Sequence, residues 1–143
     1  MSYGQKKKFL ISFSLATKCK LLILDEPTNG LDIPSKTIFR KVLAGTLTDD
    51  QLVLISTHQI KDVENLIDRI MVLNNGEIIL DEKIMNISDK FRFTTVPDLN
   101  SYDVLYHETS PGGYRVILPG AGKSSQVDME LLFNATTKGI KLN

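Results

Sequence analysis

The 143-residue chain holds a single cysteine, Cys19. One thiol cannot close an internal disulfide, so the composition fits a reducing compartment. Cys19 itself is expected to be a small core residue at a helix end. No apolar run approaches the roughly 20 residues that a bilayer-spanning helix needs, and no basic-then-apolar leader opens the sequence, so a cytoplasmic location is expected. Charge of one sign is also lacking, since 17 basic residues offset 17 acidic ones. No global field would draw the chain to nucleic acid, and no nucleic-acid partner is expected. Repeats and low-complexity tracts are absent. A hydrophobic content of 42% is ordinary for a folded protein, and the length suits one domain, or one core with a small appendage.

What is present is an alternation of patterns. In MSYGQKKKFLISFSLATKCK, Phe9, Leu10, Phe13 and Ala16 recur at helical spacing, and Ser2 with Gln5 forms an S-x-x-Q capping box, so a helix is expected from about Tyr3. LLILD and QLVLIST are short, continuously apolar runs of the kind buried on both faces of a parallel sheet. Between them Asp32 is placed to cap a helix with Pro34 in its first turn and Ile38, Val42 and Leu43 on its apolar side. IKDVENLIDRI, with Ile60, Val63, Ile67 and Ile70 on one face, predicts a third helix. Asn75-Gly76 between two apolar runs predicts an antiparallel hairpin over residues 70 to 80. Beyond it the chain reads as a short helix at about 82 to 88, three alternating strands (FRFTT, DVLYHET and YRVIL) with a turn at Pro111-Gly112-Gly113, and a closing helix in VDMELLFNATTK. A boundary is expected at residues 82 and 83: an α/β part with parallel strands, then a small α+β extension.

The chemistry gathers in the first part. LLILDEPTNGLD delivers Asp25 and Glu26 from a buried strand into a turn, where α/β sheets bind ligands. Asp25 can hold the water shell of Mg²⁺, and Glu26 can orient and deprotonate an attacking water. His58 ends the second strand, where a neutral imidazole could reach a phosphate. Two acids at a strand end are, by themselves, better explained by a cap or a solvated turn. The start of the sequence is a second candidate: Ser2, Gly4 and Gln5 open a helix, where free N–H groups favour an anion, although a plain cap would need no ligand. Lys6, Lys7 and Lys8 read as a solvated helix face, and His107 as structural.

A phosphate-gripping loop is lacking. The only GK[ST], at Gly122-Lys123-Ser124, has Ile117 where GxxxxGK[ST] requires glycine, and it reads as a surface turn.

Taken together, MSYGQ, LLILDEPTNGLD and ISTHQ resemble, in order and separation, the signature motif, the Walker B motif with its D-loop, and the H-switch of ABC transporter ATPases. The resemblance runs over roughly residues 1 to 80 and implies part of a RecA-like P-loop NTPase core. It implies ATP and Mg²⁺ as cofactors, with Asp25 on the metal, Glu26 as general base and His58 on the γ-phosphate. Asp32 would end the D-loop that communicates across a head-to-tail pair of ATPase subunits, and Ser2, Gly4 and Gln5 would serve the partner's nucleotide. A membrane permease is the further partner implied, with the chain peripheral at the cytoplasmic face. Tyr3 stands where the usual LSGGQ signature has its first glycine. The expected identity is the carboxyl-terminal portion of such an ATPase, inactive alone without its phosphate loop. The alternatives are an interaction module that pairs with an intact ATPase and an ABC-type ATPase without a permease.

Overall fold

The computed structural model describes residues 3–120 and 126–142, leaving aside the side chain of Tyr3. Ser2 and the Gly122-Lys123-Ser124 turn therefore lie outside the described residues. The chain forms two compact units, Met1–Leu66 and Ile67–Asn143. The sequence pattern changes at residue 83, whereas the compact units meet at Leu66. The 70–80 hairpin is compact with the second unit because its strands pack beside the last helix of the chain.

The first unit contains helix α1 (Tyr3–Ala16), strand β1 (Leu21–Asp25), helix α2 (Ile33–Thr46) and strand β2 (Leu52–Ser56). Strands β1 and β2 pair in parallel with Leu21 opposite Leu52 and Asp25 opposite Ser56. The intervening α2 starts where the sequence says it should: Asp32 caps it, accepting from the Ser35 amide at 2.9 Å, with Pro34 in the first turn. Its buried side matches the expected one only at Leu43. Ser35, Phe39 and Leu43 face inward, while Ile38 is exposed and Val42 partly so. Phe39 is the reason: Ser35, Phe39 and Leu43 form an i, i+4 stripe ending in two large apolar side chains. Leu15, Leu24, Leu31, Phe39, Leu43 and Val63 form the core of this unit.

Only one face of the β1–β2 pair is covered. Leu22, Leu24, Val53 and Ile55 pack on the core, while Leu21, Ile23, Leu52 and Leu54 are 52%, 64%, 65% and 41% exposed. Both strands were expected to be buried on both faces. The two strands alternate in and out with no layer on the second face within this unit. Helix α1 shows the same inversion: Phe9, Leu10 and Phe13, read as its apolar face, are exposed, and the buried stripe runs through Ile11 and Leu15. Cys19 is exposed as well, its Sγ lying 3.1 Å from Thr17 Oγ1. A two-stranded sheet with open edges and an apolar face is prone to pair with itself. Light scattering at rising concentration should report growing particle size, and Ile23→Lys with Leu54→Lys should suppress it; a concentration-independent monomer would show that the face is tolerated.

The third helix expected in IKDVENLIDRI is absent. Only a 3₁₀ turn forms, at Ile60–Asp62, before the chain becomes strand at Arg69. Asp62 pairs with Lys36 and Arg40 of α2, at 2.7 and 4.0 Å, which holds the segment in a tight turn.

The second unit opens with the hairpin of β3 (Arg69–Asn74) and β4 (Glu77–Lys83). Asn75 and Gly76 both have positive φ, 49° and 82°, as a type I′ turn requires. Helix α3 (Ile84–Lys90) leads to an antiparallel sheet in the order β5-β7-β6, from β5 (Phe91–Val96), β6 (Tyr106–Ser110) and β7 (Gly113–Pro119). Packing demands glycine at Gly113: with φ 140°, an added Cβ would sit 2.1 Å from the Val96 carbonyl oxygen. Helix α4 (Met129–Thr137), capped by Asp128, packs on the sheet. Val96, Val116 and Leu118 form a cluster with Leu99, Val104 and Tyr114. The strands and helices of this unit fall close to where the alternating pattern placed them.

Candidate active site

The register of β1 on β2 builds the site. Parallel strands that end level with each other deliver their exit residues to the same edge, so Asp25-Glu26 arrives beside Ser56-Thr57-His58. Ser56 Oγ donates to Asp25 Oδ1. The Asp25 side chain is otherwise exposed at the end of its strand.

Glu26 begins the turn with φ 44°, a left-handed conformation that costs an ordinary residue about 1–2 kcal/mol. Pro27 follows it, and a residue before proline prefers extended backbone, so the position is held against two preferences. Its amide donates to the Ser56 carbonyl at 2.9 Å. Its carboxylate reaches across to the end of β2. Oε1 accepts from the His58 amide at 2.9 Å and lies 2.6 Å from His58 Nδ1, and Oε2 accepts from Thr57 Oγ1 at 3.2 Å. The hydrogen bond from His58 is the main reason the Glu26 carboxyl is held below its ordinary value, against the opposing push of burial. An ionised Glu26 only accepts, so Nδ1 carries the proton. In the neutral ring that leaves Nε2 as an acceptor, with Gln59 Nε2 3.5 Å away. The two residues expected to act together are therefore in direct contact.

Asp32 is occupied as the α2 cap, and the hydrogen bonds from Ser35 lower its carboxyl. Behind the turn, Thr28 is fully buried, and Lys36 bridges Gln59 Oε1 at 2.8 Å and Asp62 at 2.7 Å. The first turn of α1 carries Gly4 and Gln5. A Cβ built on Gly4 would meet no atom within 4 Å, so nothing in the chain's own packing demands glycine there. His107 packs edge-on against Tyr114 at 5.8 Å within the second unit.

Three residues at this edge were not expected: Ser56, Thr57 and Lys7. The first two follow from register, which the sequence does not state. Lys7 was taken for a solvated lysine like its neighbours. Lys6 and Lys8 are indeed exposed, but Lys7 is half-buried and its Nζ donates to the carbonyls of Glu26 and, at 2.9 Å, Asn29. The stripe Gly4, Lys7, Ile11 and Leu15 could have shown it, since these positions share one helix face.

Mg²⁺ is usually held by one or two carboxylates together with phosphate oxygens and water. Asp25 supplies one exposed carboxylate beside Glu26, a donor set suited to a hydrated ion that arrives with a nucleotide. Among the described residues no three His, Cys, Asp or Glu side chains are grouped to hold a metal by themselves.

The run from LLILDEPTNGLD to ISTHQ, with SYGQ ahead of it, resembles stretches of ABC transporter ATPases, and sequence comparison shows a likeness to their ATP-binding proteins. No protein-family model matches the chain. The chain is 39% identical over 82 residues to the lantibiotic transport ATP-binding protein SrtF of Streptococcus pyogenes, covering 57% of the chain and 36% of the relative. It is 36% identical over 88 residues to the energy-coupling factor transporter ATP-binding protein EcfA2 of Clostridium perfringens, covering 61% of the chain and 31% of that protein. A match to EcfA of Methanothermobacter thermautotrophicus is 35% identical over 79 residues, covering 55% of the chain and 25% of the relative. The chain thus spans about a third or less of the length of these relatives. A solved structure of a metal-chelate type ABC transporter, in an inward-facing conformation, matches with a TM-score of 0.51. That match has 21% identity and covers 83% of this chain and 48% of the other, which shows the fold. The fold is α/β with parallel strands β1 and β2, and it is similar to that of the ABC transporter structure. No helix among the described residues is long and apolar enough to cross a membrane.

Proposed function

We propose that this chain carries the signature, Mg²⁺-binding carboxylate, general base and switch histidine of an ABC-type ATPase that drives solute transport across a membrane. The observation that carries the reading is the contact of Glu26 with His58 at the level of Asp25, set by strand register. Asp25 would hold Mg²⁺ through water. When bound, Mg²⁺ would neutralise charge on the nucleotide phosphates. Glu26, kept ionised, would take the proton of an attacking water, and His58 would turn from Glu26 toward the γ-phosphate. Thr57 and the His58 amide hold the Glu26 carboxylate ready for that exchange.

The helix start at Ser2, Gly4 and Gln5 would close over the nucleotide of a second ATPase subunit paired head to tail, and Asp32 would fix the turn that reaches that subunit. A membrane permease would receive the motion, with the chain at the cytoplasmic face. The names of the relatives, ATP-binding proteins of transport systems, support this assignment. The exposed apolar face of β1 and β2 favours a second reading, in which the chain serves an intact ATPase as a non-catalytic partner.

The 143 residues hold no GxxxxGK[ST], so the triphosphate has little to grip here. MgATP should bind the isolated chain with a Kd of about 1 mM or weaker, roughly −4 kcal/mol, and hydrolysis should be negligible. At millimolar MgATP, NMR signals of Asp25, Glu26 and His58 should still shift. Micromolar affinity by calorimetry would refute the incomplete-site part of the reading, and unmoved signals at all three residues would refute the site itself.

A further inference from the structure

We propose that Lys7 is a positioning residue for Glu26, tying the helix that begins at Tyr3 to the turn that carries the general base; the proposal rests on the role given to Glu26 above. Lys7 sits in the middle of a basic run, yet it alone of the three lysines is half-buried. Its ammonium donates to two carbonyls, those of Glu26 and Asn29. These carbonyls lie at the two ends of one turn, which the Asn29 amide closes on the Glu26 carbonyl at 3.2 Å.

The turn needs such a clamp. Glu26 is left-handed and precedes proline, so its backbone is held away from its preferred conformations. Its amide is fixed on one side by the Ser56 carbonyl. On the other side, the Lys7 ammonium fixes its carbonyl with a charge-assisted bond, stronger than a neutral one. With both flanking peptide groups held, the direction of the Cα–Cβ bond is set, and it points the carboxylate at Thr57 and His58. An ammonium suits the place, since it is a compact charge whose three donors can converge on two oxygens that a planar fork would meet less well.

The consequence is a mechanical link. Helix α1 is anchored at its far end by Ile11 and Leu15 in the core, and near its start by Lys7 on the catalytic turn. Whatever displaces the start of α1 pulls on the backbone of Glu26. The signature end of the helix and the general base of the same chain would then respond together.

The test is NMR on the full, isotopically labelled chain. In the unmutated protein the Lys7 ammonium should exchange slowly with water, the Glu26 and Asn29 carbonyl carbons should lie downfield, and the His58 Nδ1 shift should report pairing with a carboxylate. Lys7→Met should move both carbonyls upfield and carry the His58 Nδ1 signal toward that of a free imidazole, and Lys7→Arg should restore part of the pairing. Glu26→Gln should abolish the His58 signal while leaving the Asn29 carbonyl in place. An unmoved His58 signal in Lys7→Met overturns the proposal alone. Lack of His58–Glu26 pairing in the unmutated chain overturns the site reading and the proposal with it. Should Lys7→Met fail to fold, the unmutated chain decides: a fast-exchanging Lys7 ammonium overturns the clamp, and a slow one with downfield carbonyls supports it.

Discussion

Replacing Arg115 with methionine should cost the second unit about 2–3 kcal/mol, and its thermal midpoint should fall by about 10–20 °C. Arg115 stands on β7 directly across from Glu108 on β6. Its guanidinium bonds Glu108 at 2.8 Å and Asp128 at 3.2 Å, and lies 3.6 Å from Glu130. Asp128 is the cap of α4, so a single side chain ties the sheet to the start of the helix. Glu108 also accepts from Tyr106 Oη and from Asn134 Nδ2, each at 2.9 Å, and Lys138 Nζ donates to Tyr106 Oη at 2.9 Å. Methionine keeps the bulk of the stem but leaves Glu108, whose side chain is 22% exposed, with neutral donors only. A fully buried pair broken on one side costs about 3–5 kcal/mol, and the partial exposure here reduces that figure.

The pH dependence follows from the same groups. Burial pushes the Glu108 carboxyl up, but the hydrogen bonds from Tyr106, Asn134 and Arg115 outweigh it and hold the group below its ordinary 4.5. A depressed carboxyl contributes stability that is present above its unfolded value and is lost as the pH falls through the folded one. The deficit of Arg115→Met should therefore be largest near neutral pH and shrink below about pH 4.5, where protonation removes the unpaired charge. Melts of both proteins at pH 7 and pH 4 measure this, and Arg115→Lys should recover part of the loss. An equal deficit at both values would mean that Arg115 acts through packing alone.

What the sequence shows, it shows through local chemistry. The cap at Asp32, the turn at Asn75-Gly76 and the alternation of β5 to β7 depend on neighbours within a few residues, and all were readable. The buried faces of α1 and α2 were not. Each helix has apolar residues on two sides, and which side is covered depends on what packs there. Phe9, Leu10 and Phe13 look more apolar than Gly4, Lys7, Ile11 and Leu15, yet the second stripe faces the turn and the core. The missing helix at IKDVENLIDRI has a similar cause, because the Asp62 pairs with α2 are long-range. At the site, Asp25, Glu26 and His58 were legible as types in order. Their meeting depends on the register of Asp25 with Ser56, which no periodicity encodes. Arg115 and Glu108 went unremarked for the same reason.

Leu43→Ala should be among the most damaging truncations in the first unit, at about 2–5 kcal/mol. Leu43 is 2% exposed and belongs to the cluster of Leu15, Leu24, Leu31, Phe39 and Val63. That cluster lies beneath the covered face of β1 and β2, the strands whose ends carry Asp25 and His58. At ordinary stability per residue, a unit of 66 residues has only about 3–10 kcal/mol in total, so the loss is a large share of it. The structure also predicts that the adjacent apolar residue matters far less. Val42, 39% exposed on the other side of α2, should cost under about 1 kcal/mol when truncated to alanine. Urea titrations of both variants, followed at signals from the first unit, separate the two faces. With Leu43→Ala, pairing of Glu26 with His58 should be lost at the same denaturant concentration as the sheet, because register places the site and the core keeps the register. If Val42→Ala proved the costlier change, α2 would have to turn its other side inward, and the level meeting of β1 and β2 would lose its support.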